Sequence, residues 1–525
     1  MDKIIKQILA KRGIKTETEV SDFWHPSWQK FFHDPYKLKD MKHAVERIKL
    51  ALQYKEKIAV YGDFDGDGIP GTAMMFLALK KLGAKSPLVH IGKAHDIDEE
   101  FVKQAAKDKF KVIIAIDLGG SSFGAADMTR ALGIDLIIVE HHIVQHKKPK
   151  CFAFINPEQK SDTYPWPHLS GAGVALKLIY ALSPEAFEYF KNYFLALTAI
   201  AAVHDRVPLR NENRFLVGLG IQSLLKTRDS DLINLMKVLK IKKSLGNIGH
   251  EDIFHILELF INIFDSQKSC EFLIDPEHPM SIIRELADVS VRFSNYLNEA
   301  VGHVKRHPHL YKKNILFEVF DDVPYVTTGA IASRIFNYYG VTTIVIRKGT
   351  NGVSRGSARA SEALNLMEML DYCKSFLYGY GGHKRAAGFK IKSGKIDEFK
   401  MKVEEYLVKN FLKGVVPKNK IRVDATISVS DLTAELYANF KKMAPFGMAN
   451  PIPLLMLKNT SLYLNETEVA IKDETGVITG TVDEHLIKNI KSGSKHNVAG
   501  HLALKDNLLY FKIRSIKPLK ANRKE

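Results

Sequence analysis

The stretch that decides the fold is KIAVYGDFDGDG, residues 57–68, in which a short apolar run leads directly into three aspartates. Residues 57–62 have the composition of a buried β-strand. The segment GTAMMFLALKKLG at 71–83 predicts a helix that ends at Gly83. A strand, a polar turn and a helix in this order make up the first half of a βαβ unit. We therefore expect an α/β domain with its first strand near residue 57.

The same alternation continues along the chain. Further strands are predicted at 86–92, 110–117 and 134–140, with helical segments between them. Because strands that alternate with helices pair in parallel, this pattern predicts a doubly wound parallel sheet. The residues before position 55 have helical periodicity and predict helices that precede the sheet.

The rest of the chain divides into three regions behind this N-terminal domain, which we place at residues 1–215. Residues 216–305 are predicted to be a helical connector, and residues 306–412 a second α/β domain with strands and one helix of its own. Residues 413–525 contain β-like runs that predict a small antiparallel barrel. The predicted architecture is thus a parallel-sheet α/β domain, a connector, a second α/β domain and a β-barrel.

The composition excludes several classes of protein. The chain has 525 residues, a formal net charge of +17 and only three cysteines, which are far apart and form no CxxC motif. A disulfide scaffold and a cysteine-based zinc module are therefore excluded. No window approaches 18 uninterrupted apolar residues, and the first residues lack a signal-peptide pattern. We expect a cytoplasmic protein without a membrane segment, whose positive excess could meet a polyanion.

Carboxylates and imidazoles follow the predicted strands, where a doubly wound sheet gathers its functional residues. Three aspartates follow the first strand, one ends the third, two histidines follow the fourth, and one aspartate follows a later apolar run: Asp63, Asp65 and Asp67, Asp117, His141 and His142, and Asp205. The spacing of the first three resembles a calcium loop, but its twelfth position holds Met74 rather than glutamate, and a strand precedes it.

So many carboxylates at one edge repel one another unless cations lie between them. Mixed aspartate and histidine ligands suit Mn²⁺ well, and Mg²⁺ is also acceptable. Two such ions about 3.5–4 Å apart form the usual arrangement for displacement at phosphorus. The sequence therefore predicts a two-metal site that acts on a phosphate ester.

These motifs resemble a known family. The segments YGDFDGDG, DLG, EHH and HDRVPL resemble, in this order, the four motifs of the DHH phosphoesterase superfamily. The segment GYGGHKRAAGF resembles the signature of the DHH-associated domain. Within the superfamily the chain is most similar to the RecJ family of single-stranded-DNA exonucleases, and this resemblance covers nearly the whole chain. It implies an OB-like C-terminal barrel that would guide a single strand.

The resemblance also implies roles for individual residues. The positions that match metal ligands are Asp63, Asp65, Asp67, Asp117, His141 and Asp205. Asp117 is implied to bridge the ions and, with His141 and His142, to be catalytic. The positions that match substrate-binding residues of the second domain are Arg355, Ser357, Arg359, Gly381, Gly382 and His383.

The chain departs from the family pattern at several positions. Tyr61 stands where the family usually has histidine, and Glu140 replaces the aspartate of the DHH triplet. The basic segment expected after the second strand is reduced to Lys93, and an arginine-containing segment is reduced to the residues 262–265. Tyr61 is a poor ligand for Mn²⁺, so one of the two metal ions is expected to be bound more weakly. The two reduced basic segments affect recognition of the 5′ end and the path of the DNA.

The resemblance implies a 5′→3′ exonuclease that releases 5′-mononucleotides from single-stranded DNA in recombination and repair. We expect a monomer that requires Mn²⁺ or Mg²⁺ and whose protein partners are a single-strand-binding protein or a helicase. Two alternatives stay open at this point. One is a phosphodiesterase of short oligonucleotides or cyclic dinucleotides. The other is a non-catalytic DNA-binding or replisome scaffold with a diverged DHH domain.

Overall fold

The structure is a computed structural model. It describes the residues 2–144, 147–226, 266–275, 280–306, 315–321, 323, 327–349, 351–417, 421–465, 468–487, 490–505 and 507–519. The chain separates into two compact units. The first unit combines Met1–Ile283 with Arg422–Glu525, and the second is Arg284–Ile421.

The first unit contains the predicted parallel sheet. Its strands are β1 (Lys57–Gly62), β2 (Leu88–Ile91), β3 (Phe110–Ile116), β4 (Asp135–Val139) and β5 (Ala153–Ile155). All of its pairings are parallel, in the order β2-β1-β3-β4-β5. The central strands are buried almost throughout, as expected for a sheet covered by helices on both faces. The prediction of a doubly wound sheet is therefore confirmed.

Helices precede, connect and follow these strands. They are α1 (Lys3–Lys11), α2 (Glu17–Trp24), α3 (Trp28–Phe31), α4 (Met41–Gln53), α5 (Gly68–Lys81), α6 (Glu99–Lys107), α7 (Phe123–Ala131), α8 (Gly171–Leu182), α9 (Pro184–His204), α10 (Asn211–Lys226) and α11 (Ser266–Ile274). Local sequence explains where several begin: Ser170 accepts a hydrogen bond from the backbone N–H of Gly173 and caps α8. None of the helices in the described ranges is long and apolar enough to cross a membrane.

The predicted helical connector, residues 216–305, falls partly outside the described residues. Of this segment the structure describes the end of α10, then α11, and α12 (Met280–Arg306). The residues 262–265, at which the expected arginine is missing, lie outside the described ranges.

The second unit is the predicted second α/β domain. Its strands are β6 (Ile315–Phe320), β7 (Thr342–Arg347), β8 (Val353–Arg359), β9 (Leu377–His383) and β10 (Ala386–Lys392), and its helices besides α12 are α13 (Thr328–Tyr339), α14 (Leu366–Tyr372) and α15 (Ile396–Asn410). The sheet order is β6-β7-β8-β10-β9, and only β6 and β7 pair in parallel. Apolar residues of α14 and α15 pack on one face of this sheet.

The C-terminal residues form a barrel. Its strands are β11 (Ala425–Ile427), β12 (Leu455–Asn465), β13 (Glu468–Lys472), β14 (Val477–Thr481), β15 (Lys495–Lys505) and β16 (Leu508–Pro518), with α16 (Ala434–Lys442) and α17 (Glu484–Ile487) between strands. Pairing of β12 with β15 closes the barrel. The predicted small barrel is therefore confirmed, but its strands are not all antiparallel, because β11–β12 and β14–β16 pair in parallel. Phe511 is fully buried in the barrel core.

The N-terminal helices belong to the core of this barrel. Ile5, Ile8 and Leu9 of α1 are fully buried, in one apolar cluster with the interior of the barrel. Just after α1, the guanidinium of Arg12 donates a hydrogen bond of 2.7 Å to the carbonyl of Pro451. The first helix and the last domain therefore share one hydrophobic core, although more than 400 residues separate them in the sequence. The boundaries 1–215, 216–305, 306–412 and 413–525 stay predictions.

Candidate metal centre

The site lies at the carboxyl ends of the parallel strands. The ladder continues one residue beyond β1 and β3, because the N–H of Asp63 donates to the carbonyl of Ile116 (3.1 Å) and the N–H of Asp117 to that of Val139 (2.8 Å). The sheet thus fixes the backbones of both aspartates side by side. This agrees with the rule that placed them there from sequence.

Asp117 has an unusual backbone conformation, with a φ of 64°. This left-handed region is costly for a residue with a side chain, and such residues concentrate at functional sites. The start of α8 approaches its carboxylate so closely that a Cβ at Gly171 would lie 2.4 Å from the Asp117 Oδ1. Only glycine is compatible with this approach, because any larger residue would displace the carboxylate.

Asp67 is fully buried and joins the first turn after β1 to α8. Its carboxylate accepts hydrogen bonds from the backbone N–H groups of Gly171 (2.6 Å) and Ala172 (2.8 Å). These N–H groups have no hydrogen-bond partner within the helix, because they lie in its first turn. A negative charge is stabilised at this end of a helix. These hydrogen bonds hold the Asp67 carboxylate beside the other carboxylates.

His141 lies among three carboxylates that come from different segments. Its Nε2 is 3.3 Å from Asp117 Oδ1, 3.5 Å from Asp67 Oδ2 and 3.6 Å from Asp205 Oδ2. Asp205 is contributed by the end of α9, so this cluster joins β3, β4, α9 and the loop after β1. The structure therefore brings together residues that lie up to 142 positions apart, from Asp63 to Asp205.

Three overlapping groups of side chains have ligand atoms that all lie within 4.8 Å of one another. They are Asp63 with Asp65 and Asp117, Asp67 with His141 and Asp205, and Asp117 with His141 and His142. All six predicted metal-site residues and the three predicted catalytic residues are members of these groups. Asp117 and His141 each belong to two groups, and Asp117 is the carboxylate shared between two of them.

The donor atoms fit a divalent cation. In the described part of the chain, the buried Oδ1 atoms of Asp63 and Asp117 and the Nε2 of His141 have no hydrogen-bond partner. Buried polar atoms normally have one, so three unsatisfied donor atoms in one cluster fit the role of ligands to a cation. Carboxylate oxygens with one or two imidazoles are the ligands of Mn²⁺ and, with more retained water, of Mg²⁺. These residues could hold such ions.

The electrostatics of the cluster point the same way. Burial, together with the charge of Asp67, raises the pKa of Asp117 well above its ordinary value. Burial, again with Asp67, raises the pKa of Asp205 to about 7. Burial also raises the pKa of Asp63, against the opposing effect of a hydrogen bond from His95. Carboxylates in this situation resist ionisation without a cation among them.

His142 is positioned by Glu140, the residue that departs from the DHH triplet. The His142 Nδ1 lies 3.3 Å from the Glu140 Oε2, and this hydrogen bond raises the pKa of His142. The Glu140 side chain is buried, whereas that of His142 is 56% exposed. Glutamate therefore reaches the imidazole despite its extra methylene, and His142 stands at the accessible rim of the cluster.

Two further features could not be read from the sequence motifs. The Tyr61 ring is buried in the core of the sheet domain, and its hydroxyl accepts a hydrogen bond from the N–H of Asp98 (3.1 Å). The imidazole that contacts Asp63 comes instead from His95, whose Nδ1 is 2.7 Å from the Asp63 Oδ2. Its ring packs on Phe64, with centroids 4.6 Å apart. The only indication of this contact in the sequence was a histidine two residues after Lys93, and it belongs to none of the motifs.

The predicted substrate-binding residues lie in the second unit. Arg355, Ser357 and Arg359 are alternate residues of β8, and Gly381, Gly382 and His383 end β9. Strand β10 lies between β8 and β9, and pairs Gly388 with both Ser357 and Gly381. Ser357 Oγ is 2.9 Å from Thr328 Oγ1, and the Arg359 Nε donates to the Ser333 Oγ at 2.8 Å. Two residues of α13 thus orient the predicted phosphate-binding side chains.

Comparison with known families agrees with this arrangement. The model of the DHH family N-terminal domain matches residues 57–202, that of the DHHA1 domain residues 312–409, and that of the RecJ OB domain residues 423–503. These three matches coincide with the parallel-sheet domain, the second α/β domain and the barrel.

Individual proteins are similar along most of the chain. The single-stranded-DNA-specific exonuclease RecJ of Bacillus subtilis is 29% identical over 96% of this chain, and the chain spans 66% of the length of that relative. The protein of the same name from Escherichia coli is 25% identical over 86% of this chain and 82% of its own. The crystal structure of RecJ with Mn²⁺ from Thermus thermophilus superposes with a TM-score of 0.78 at 21% identity, and covers 98% of this chain and 76% of that one.

The ordered motifs, the clustered carboxylates and the three consecutive domain matches agree with one another, and the predicted resemblance is confirmed. The chain contains a DHH domain, a DHHA1 domain and a RecJ-type OB domain, in that order.

Proposed function

We propose that this protein is a metal-dependent exonuclease that hydrolyses phosphodiester bonds of single-stranded DNA. In the proposed reaction it proceeds 5′→3′ and releases 5′-mononucleotides, in DNA recombination and repair. The observation that carries the proposal is the buried carboxylate–imidazole cluster, in which Asp63, Asp117 and His141 retain unsatisfied ligand atoms. The relatives named single-stranded-DNA-specific exonuclease RecJ support the choice of substrate.

We assign the ions, Mn²⁺ or Mg²⁺, to the three groups of ligand atoms within 4.8 Å. When bound, such a pair would supply Lewis-acid activation of water and of the phosphodiester oxygens. Asp117 would contact both positions, Asp63 and Asp65 one of them, and Asp67, His141 and Asp205 the other. The close approach of Gly171 keeps the Asp117 carboxylate in a single place.

His142 is the residue of this cluster that is free to meet the substrate. Its Nδ1 is engaged by Glu140, so the Nε2 is left for a phosphate oxygen at the rim. In the second unit, the guanidinium groups of Arg355 and Arg359, with Ser357, would bind phosphates. The backbone N–H groups of Gly381 and Gly382, with His383, would complete that binding site.

Partners and location complete the proposal. The RecJ-type OB domain would hold the single strand, as barrels of this kind do through basic and aromatic side chains. We further propose a monomer that acts in the cytoplasm and that works with a single-strand-binding protein or a helicase. The predicted protein partners and oligomeric state rest on the resemblance alone.

The proposal is tested with purified protein, Mn²⁺ or Mg²⁺, and long single strands labelled at the 5′ or the 3′ end. Prompt release of labelled mononucleotide from the 5′ end is expected, with slow loss of the 3′ label. A dinucleotide and a cyclic dinucleotide serve as comparison substrates. Hydrolysis confined to these two would identify a short-substrate phosphodiesterase. Tight binding of the long strand without turnover would identify a scaffold.

His95→Ala is expected to weaken metal binding without abolishing it, because His95 contacts Asp63 and positions this carboxylate. Loss of such an outer partner typically costs about 10–100-fold in metal affinity. The measurement is the Mn²⁺ concentration that gives half of the maximal rise in melting temperature, followed by fluorescence. His43→Ala removes an exposed histidine of α4 and should leave this concentration unchanged. Equal values for His95→Ala and the unmodified protein would show that His95 has no such role.

A further inference from the structure

The second unit has a sheet face that carries a row of cations across three adjacent strands. In the observed register Arg347 of β7 pairs with Arg355 of β8, and Arg355 pairs with Lys390 of β10. Residues paired directly across strands lie on the same face of a sheet. Lys390 pairs in turn with Gly379 of the edge strand β9. We refer to Arg347, Arg355 and Lys390 as the cation row.

This face is not the one that α14 and α15 cover. The apolar cluster under those helices includes Ile346, Ala358 and Phe389, which alternate along their strands with the residues of the cation row. On the face of the cation row, α13 packs against β7 and β8 at the level of Val345 and Ser357. Beyond this level Arg355 and Lys390 are exposed.

Like charges that face each other across a sheet destabilise it, so an extended anion along the cation row would relieve this repulsion. Within the described residues no ion pair joins Arg347 or Lys390 to a carboxylate. The Arg347 Nε is buried and has no hydrogen-bond partner in that part of the chain. Adjacent strands lie about 4.8 Å apart, so the row extends over roughly 10 Å. A single small anion would not neutralise charges spread over this length.

The strand next to the cation row leaves room for an extended ligand. Gly379 and Gly381 of β9 are exposed, and a Cβ added to either would meet no atom within 4 Å. A polymer could therefore lie against the backbone of this edge strand while its charges face the cation row. These features fit a chain of repeated phosphates rather than a carboxylate or a compact anion.

We infer that the cation row, through Arg347 and Lys390 in addition to Arg355, binds the sugar–phosphate backbone of single-stranded DNA. The inference rests on the proposed function, and extends it to phosphates beyond those held by Ser357 and Arg359. The contacts are electrostatic and independent of base sequence. They should therefore contribute to the salt dependence of binding.

The test is fluorescence anisotropy of a labelled oligothymidylate with the full-length protein, in EDTA so that no hydrolysis occurs, over a series of salt concentrations. Each lost phosphate contact should lower the slope of log Kd against log salt by about 0.7. Lys390→Gln should thus lower it by about 0.7 and the double variant Arg347→Gln/Lys390→Gln by about 1.4. At ~0.05 M salt one contact corresponds to about an eightfold weaker Kd.

Two controls define the outcome. Lys409→Gln removes an exposed lysine of α15, on the opposite side of the sheet, and should keep the original slope. Lys390→Arg should also keep it, because the charge is retained. An unchanged slope in the double variant, or an equal loss in Lys409→Gln, would overturn the inference.

The proposed function is scored separately, by mononucleotide release from the unmodified protein with Mn²⁺. The expected decrease of the salt slope in the variants would support binding by the cation row. If the unmodified protein at the same time released no mononucleotide, the proposed function would be overturned. Absence of binding by the unmodified protein would overturn both.

Discussion

Asp117→Asn is expected to abolish exonuclease turnover and, at the same time, to stabilise the metal-free protein. The loss of turnover follows because Asp117 is the only carboxylate that belongs to two of the three groups of ligand atoms found in the described residues. We expect a fall of at least about a thousandfold, at the upper end of the effects of removing one preorganised electrostatic contact. Binding of single-stranded DNA should keep its salt dependence, because Asp117 is not a phosphate-binding cation.

The gain in stability follows from the burial of the same carboxylate. Without metal, Asp117 is a buried carboxylate whose pKa is raised well above its usual range by burial and by Asp67. A neutral amide of nearly the same shape removes this repulsion. A gain of about 1 kcal/mol would raise the melting temperature by roughly 2–4 °C in a domain of this size. The unmodified protein should be stabilised by saturating Mn²⁺, and the variant much less.

The measurements are mononucleotide release and melting temperature with and without Mn²⁺. Asp127→Asn is the matched control, since it removes an exposed aspartate of α7 from the same domain. It should alter neither the rate nor the response to Mn²⁺. Retention of activity by Asp117→Asn would refute the assignment of this residue to the metal centre.

Lys177→Met is expected to destabilise the first unit by about 3–5 kcal/mol. The Lys177 Nζ lies 2.6 Å from the Glu212 Oε1, and both side chains are fully buried. The Glu212 Oε2 also accepts a hydrogen bond of 2.6 Å from the Tyr164 hydroxyl. Burial lowers the pKa of Lys177 to about 8, although Glu212 opposes this effect. Removing the ammonium would leave a buried carboxylate without its counter-charge, which is the costly half of such a pair.

The double variant Lys177→Met/Glu212→Gln separates this cause from simple loss of packing. It removes both charges, so it should be less destabilised than Lys177→Met alone. Urea denaturation followed by circular dichroism gives the comparison. Lys103→Met removes a lysine of an exposed pair on α6, and should change the stability by no more than about 0.5 kcal/mol. If Lys177→Met behaved like Lys103→Met, the buried pair would not matter for folding.

Much of the metal centre was predictable because it obeys a rule of topology. Alternating strands and helices fix a parallel sheet, and a parallel sheet places every strand end at one edge. The positions of Asp63, Asp117 and His141 at the ends of predicted strands were thus enough to predict that they lie close together. The backbone strain at Asp117 and the close approach of Gly171 could not, because they depend on how α8 meets the sheet.

The features that escaped prediction depend on contacts between distant segments. His95 follows β2 in a loop whose sequence carries no motif, and only its path over Phe64 brings it to Asp63. The pair Lys177–Glu212 joins two helices whose spacing in sequence says nothing about their contact. The cation row depends on strand register, because a shift of one residue would move these side chains to the opposite face of the sheet. Periodicity predicts elements, whereas these contacts arise from their packing.

The shared core of α1 and the barrel has a consequence for synthesis on the ribosome. Ile5, Ile8 and Leu9 are synthesised more than 400 residues before their packing partners on the barrel. At about 5–20 residues per second, translation of the intervening segment takes roughly 20 to 80 s. During this interval the apolar face of α1 lacks its native packing partners on the barrel. We therefore expect α1 to be a client for a chaperone until the barrel has been synthesised.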